Sequence, residues 1–188
     1  MKQVKNKVFY HIGNFDSGQT YKIGKQLNPF FDYFNHFGYS GTIEWPQIKQ
    51  LLSDYQLYIR ERIFEDIRLE KFPEYPSRMT CLWIIPPDHL TERITFWKNQ
   101  IPHPNKKICK LSCTGIMHIG DEAFLSSRFG YLPSYREDAI QYWSGKFKSA
   151  SCIHQEVIFK GIISVIATYS DISEIPNDET LTNPFQIT

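Results

Sequence analysis

The chain has 188 residues, 41% hydrophobic and 22% charged, with a net charge of +1. That is the size and apolar mass of one globular domain, and it excludes a wholly disordered chain. It also argues against a dedicated nucleic-acid binder, which would carry a marked basic excess.

No apolar run approaches the ~18 residues of a membrane span. The basic start, Met1 to Lys7, is followed by no apolar signal core, so an untargeted, cytoplasmic protein is expected. The four cysteines, Cys81, Cys109, Cys113 and Cys152, contain no C-x-x-C pair. Three lie in strand-like runs, where a free thiol packs as a small hydrophobe, so neither disulfides nor a metal site is expected.

In chain order, residues 8–12 (Val-Phe-Tyr-His-Ile) predict a first strand, followed by a turn from Gly13 to Gly18. Residues 19–46 are rich in aromatic and turn-forming residues and predict an ordered loop with little regular structure. Ile48, Leu51, Leu52, Tyr55, Ile59, Ile63 and Ile67 then recur at three- and four-residue steps, one face of a long amphipathic helix. Pro46 suits its start, and Arg60, Glu61, Arg62, Glu65 and Arg68 fall on its polar face. The helix must stop before Pro73.

A bent, two-proline connection over 72–78 leads to a buried strand at 79–85. Pro86-Pro87-Asp88 predicts a turn with a helix cap, and 89–100 a second helix. A strand is expected at 107–114, a long loop at 115–133, and a short helix at 135–143 closed by Ser144-Gly145. Residues 155–165 predict a β-hairpin or two abutting strands. One domain over 8–170, with tails at 1–7 and 171–188, completes the reading.

Three places hold polar residues that the local pattern does not require. His11 interrupts the apolar first strand. Ser77 and Arg78 stand at the mouth of the buried strand. Glu156 heads the run Val157-Ile158-Phe159, where a carboxylate is costly to bury unless something pairs with it. Taken singly, each reads most simply as a satisfied strand-edge histidine, a turn with a surface cation, or a solvated strand end. His118 and Asp121 read as loop caps that are also candidates for contacting an acceptor, and His103, between two prolines, as surface. The aromatic loop from Phe30 to Tyr39 reads as packing, with a lid over a ligand as the alternative.

Together, Tyr10-His11, then Pro76 to Trp83, then Glu156-Val157-Ile158-Phe159-Lys160-Gly161 resemble the ADP-ribosyltransferase fold. The likeness is to the diphtheria-toxin-like branch. With Phe72-Pro73 and Tyr142-Trp143-Ser144-Gly145 added, the run also resembles a bacterial family of unknown function associated with that fold. The resemblance implies an α+β protein with a split β-sheet core, a long helix and flanking short helices. It implies NAD as co-substrate and transfer of ADP-ribose to a macromolecular acceptor, protein or RNA. A toxin, with an antitoxin partner, and a phage-defence effector are among the roles it implies.

In that resemblance His11 is the histidine that holds a ribose and the nicotinamide amide. Glu156 is the carboxylate that stabilises the oxocarbenium-like transition state. Trp83, with Tyr75 as the alternative, takes the place of the aromatic that packs on nicotinamide, and Ser77 stands beside it. Arg78 reads as a clamp for the diphosphate, with a structural ion pair to Glu61 or Glu65 on the long helix as the alternative. Two departures stand out: Ile12 separates His11 from Gly13, and His154-Gln155-Glu156 replaces the Glu-x-Glu of the arginine-type branch. Competing readings are an NAD glycohydrolase, with water as acceptor, and a catalytically inert binding module.

Overall fold

The computed structural model describes residues 1–28, 31, 45–100, 106–125, 132–148 and 151–176. Among these the chain forms one five-stranded antiparallel sheet and three α-helices, a mixed α+β architecture. The strands are β1 (Lys2–Gly13), β2 (Thr20–Ile23), β3 (Leu82–Ile84), β4 (Lys107–Asp121) and β5 (Gln155–Tyr169). The helices are α1 (Trp45–Lys71), α2 (Leu90–Gln100) and α3 (Leu132–Trp143).

β5 is the organising strand. One of its edges pairs with β4 from Asp121↔Gln155 to Ile108↔Tyr169. The other edge is divided: β3 takes its first half, through Ile84↔Val157, and β2 its second, through Ile23↔Gly161. β1 lies on the far side of β4. The sheet then closes on itself, because Tyr10 of β1 and Ile85 beyond β3 exchange both backbone hydrogen bonds, at 2.8 and 2.7 Å.

The hairpin or pair of abutting strands expected at 155–165 is instead a single strand. Within it, Gly161 sits at φ +154 facing Gly115 of β4. A Cβ there would come within 3.0 Å of the β4 backbone, so glycine lets the two strands approach and the strand runs through. The first half of β5 is buried at four successive positions, Glu156 to Phe159, whereas the second half alternates, with Ile163 and Val165 inside and Ile162 and Ile166 outside. Both faces of the first half are covered, Ile158 by α1 and α3 and Val157 and Phe159 by side chains of the neighbouring strands, which is why its sequence is continuous rather than alternating.

Several other expectations need correction. Residues 2–7 are no tail: they extend β1 and pair with β4 as far as Lys2↔Met117. β2 lies within the region expected to be irregular. The long loop at 115–133 is largely absent, since β4 runs to Asp121 and a 3-10 turn spans Glu122–Leu125. These segments lack strong apolar alternation because cross-strand pairing, not local pattern, fixes them. Asp88 does not cap α2; it holds Arg93 at 2.9 Å, and His89 before the helix has a positive φ of 50°. The tail after 170 forms a 3-10 turn, Ile172–Glu174, and anchors through the buried Ile175.

α1 starts and stops where its prolines require, but of the expected stripe Ile67 is buried while its N-terminal part is not. Leu52 and Tyr55 are more than half exposed. The inward residues toward its C-terminal end are Glu61, Phe64, Ile67 and Arg68. Phe64 and Ile67 pack with Ala139, Tyr142 and Trp143 of α3 and with Ile158 of β5. A second cluster, including Phe9, Leu111, Val157 and Phe159, fills the opposite face of the sheet, and a third lies under α2. All four cysteines are free, and among the described residues no helix is long and apolar enough to cross a membrane.

Candidate functional site

A cleft of ≈ 970 Å³ opens where β1, β3 and the start of β5 converge beneath α1. Four residues singled out in the sequence line it: His11 from β1, Arg78 from the two-proline connection, Trp83 from β3 and Glu156 from β5. Ser77 does not join them. Its hydroxyl donates to Glu65 at 2.9 Å and faces α1.

The cleft floor carries a buried ionic network. Arg78 donates through Nε to Glu61 at 2.8 Å and through Nη1 to Glu156 and to the Tyr142 hydroxyl. The Tyr142 hydroxyl in turn donates to Glu156 Oε1 at 2.7 Å. Arg60 donates to Glu61 from the other side and to the Leu125 carbonyl. Two carboxylates and two guanidiniums thus balance in charge. Burial pushes the Glu61 carboxyl up, but Arg78 and Arg60 outweigh it and hold the group below the ordinary carboxylate value. Burial also opposes the Arg78 charge, yet Glu156 and Glu61 keep its pKa raised. Burial and the Glu156 charge raise Tyr142, so it remains a protonated donor.

Local sequence sets this geometry. Glu61, Glu65 and Arg68 share one face of α1 and grip the connection that follows it: Arg68 donates to the carbonyls of Pro73 and Tyr75, both at 3.0 Å. That fixes the approach of Arg78 to the cleft. Tyr142 reaches Glu156 because its ring lies over Gly120, the β4 partner of Glu156, where any Cβ would fall within 3.0 Å of the ring.

His11 bridges the cleft at its other side. Its Nδ1 lies 2.7 Å from the Trp83 carbonyl, which can only accept, so Nδ1 carries the proton and Nε2 is the acceptor. Burial, with Lys106 adding to it, depresses the imidazole to about 4, and the Trp83 carbonyl only partly opposes this. The ring folds over Gly13, on the same strand face. A glycine two residues after the histidine therefore clears the space that a strand period demands.

The clamp expected for Arg78 is already closed on protein groups, so its observed role is to hold Glu156. Among the cations lining the cleft, Arg60 and Arg78 are paired, and Lys106 has no ion pair among the described residues. Trp83 lies 6.0 Å from the Arg78 guanidinium and 6.5 Å from the Phe31 ring. Phe31 is buried, which fits packing; Phe30 and residues 32–39, with any lid they form, lie outside the described residues, as does His103.

Tyr75, His118 and Asp121 sit elsewhere. Tyr75 stacks on His118 at 4.9 Å, and both line a separate cavity of ≈ 330 Å³. His118 donates to the Tyr142 carbonyl at 3.1 Å, and burial depresses it to about 3. Asp121 accepts from the backbone of Ala123 and Lys148. His154 pairs with Glu122 at 2.9 Å, away from the cleft. The sequence reading missed the role of Tyr142, whose one signal was its place in the Tyr-Trp-Ser-Gly run. Glu61 entered it only as an alternative ion-pair partner of Arg78, and the structure bears that pairing out at 2.8 Å.

An α+β sheet protein with a largely apolar cleft at the strand ends, floored by buried ion pairs, is the class that fold and site define. Residues 9–174 match a family described as a protein of unknown function (DUF2441), and the chain belongs to that family. No curated protein matches it.

Proposed function

We propose that the protein is an NAD-dependent ADP-ribosyltransferase acting on a protein or RNA acceptor. The observation that carries this reading is the convergence of His11, Trp83 and Glu156, from three separate strands, on one cleft. In this reading the bond between the nicotinamide nitrogen and ribose C1′ breaks, and its electrons neutralise the pyridinium ring. Positive charge builds on the ribose, and the acceptor's nucleophile attacks C1′ and loses its proton.

Glu156 faces that charge, and a fixed carboxylate acts where charge develops. Tyr142 and Arg78 hold it in place, so no reorganisation is needed when the bond breaks. His11 Nε2 accepts from a sugar hydroxyl, Trp83 offers the aromatic face, and Lys106 takes the diphosphate in place of Arg78.

The test is incubation of purified protein with NAD labelled in the adenine ring and a whole-cell extract. Nicotinamide release with label on protein or RNA supports the transferase. Release with free ADP-ribose supports the glycohydrolase, and no release supports an inert module. A role as a toxin or phage-defence effector rests on the same reading.

A further inference from the structure

Outside the cleft, three side chains of metal-ligating type meet. A carboxylate oxygen of Asp88, a ring nitrogen of His89 and the sulfur of Cys152 all lie within 4.8 Å of one another. Asp88 and His89 end the connection from β3 into α2, and Cys152 opens the 3-10 turn (Cys152–His154) that feeds β5. Asp88 is half satisfied: Oδ2 accepts from Arg93 at 2.9 Å, whereas Oδ1, like Arg93 Nη1, is buried with no hydrogen-bond partner among the described residues. A buried acceptor without a donor is expensive, and it has room for a further partner. His89 stands at φ 50°, a left-handed conformation that histidine seldom adopts, and its ring makes no hydrogen bond among the described residues.

We propose that Asp88, His89 and Cys152 bind a divalent transition metal of the zinc class. A thiolate and a carboxylate shared with Arg93 offset most of the charge of such an ion, and the imidazole completes a mixed sulfur, nitrogen and oxygen set. Calcium and magnesium call for oxygen ligands throughout, so this set selects against them. With bonds of ~2.0–2.3 Å, tetrahedral ligand atoms stand about 3.3–3.8 Å apart. The three donors need only side-chain rotations of modest size to close on an ion, and a fourth position is left for water or a further ligand. The metal fastens the end of β3 to the start of β5, the two strands that bring Trp83 and Glu156 to the cleft. The proposal stands independently of the NAD reading.

The experiment uses full-length, tag-free protein purified without chelator. Zinc is quantified by elemental mass spectrometry. After chelation, the protein is titrated with Co²⁺, reading the cobalt–thiolate absorption, and with Zn²⁺ in competition. His89→Asn removes a ligand while tolerating the left-handed backbone, Cys152→Ser removes the thiolate, and circular dichroism checks that both fold. The expected result is saturation near one equivalent in the parent protein. Both variants should bind at least ~10-fold more weakly, since even an indirect supporting contact to a ligand is worth that much. Absence of saturable binding and of the cobalt–thiolate band, or equal binding by both folded variants, overturns the proposal and leaves Asp88 as a partner of Arg93 alone.

Discussion

At the scale of single residues, the site turns on what each buried polar group is paired with. Glu156→Gln keeps the shape and one acceptor for Tyr142 but removes the charge. We expect nicotinamide release to fall ~100-fold or more, with circular dichroism unchanged; near-normal turnover in the folded variant would exclude Glu156 from the chemistry. His11, half-buried, and His118, buried, predict an acid weakness. His11 and His118 have folded-state values depressed to about 4 and about 3, below the ordinary 6.5. The unfolded chain therefore takes up protons at pH values where the folded chain does not. The stability these groups contribute is full above pH 6.5 and is lost progressively as the pH falls from there to about 4 for His11 and about 3 for His118. Glu61, lowered by Arg78 and Arg60, acts in the same sense below the ordinary carboxylate value. Urea titrations across pH 4–7 should show a stability slope, and His118→Asn should flatten it by about 1.4 kcal/mol per pH unit. An unchanged slope would mean that His118 titrates normally.

At the scale of elements, the connection over residues 72–78 is a strap that α1 holds and that in turn presents Arg78. Removing that guanidinium leaves Glu61 and Glu156 buried without their shared counter-ion. Arg78→Ala should therefore destabilise the ligand-free protein by ~3–5 kcal/mol, read as a sharp fall in Tm. Arg78→Ala combined with Glu61→Gln should recover part of the loss. A variant of normal Tm with a raised KM for NAD would instead restore the diphosphate clamp. The contact of α3 with β4 is equally tight. Gly120→Ala puts a methyl into the Tyr142 ring, so a cost of ~1–3 kcal/mol is expected. Turnover should fall as well, since Tyr142 aligns Glu156; a variant with parental Tm and turnover would show that the helix gives way freely.

At the scale of the whole molecule, the sheet is closed by Tyr10 and Ile85 and braced by helices, so the cleft exists before any ligand arrives. A ligand that fits it should stabilise the fold as a whole. NAD at ~100 times its Kd should add about 2.7 kcal/mol, visible as a rise in Tm. Lys106→Ala should shrink that rise while leaving the ligand-free Tm near the parental value, because Lys106 has no ion pair among the described residues. An equal rise in the variant would remove Lys106 from the diphosphate site.

How much of this was legible depended on whether the controlling interaction was local. The long helix ending before Pro73, the buried strand near 82–84 and the short helix closed by Ser144-Gly145 follow from period, proline and glycine, which act over a few residues. His11, Arg78 and Glu156 stood out for the same reason, as polar residues that their own segments do not need. The face of α1 that turns inward did not follow, because Glu61 and Arg68 are buried by partners far along the chain rather than by their own hydrophobicity. Nor did the reach of β1 and β4, or the unbroken course of β5 through Gly161, since strand pairing is settled across the sheet. Only the tertiary structure could decide that Arg78 is spent on Glu156 and Glu61, that Tyr142 completes the cluster, and that Asp88, His89 and Cys152 meet. Each is a question of which distant groups share a low-dielectric space, and burial decides it.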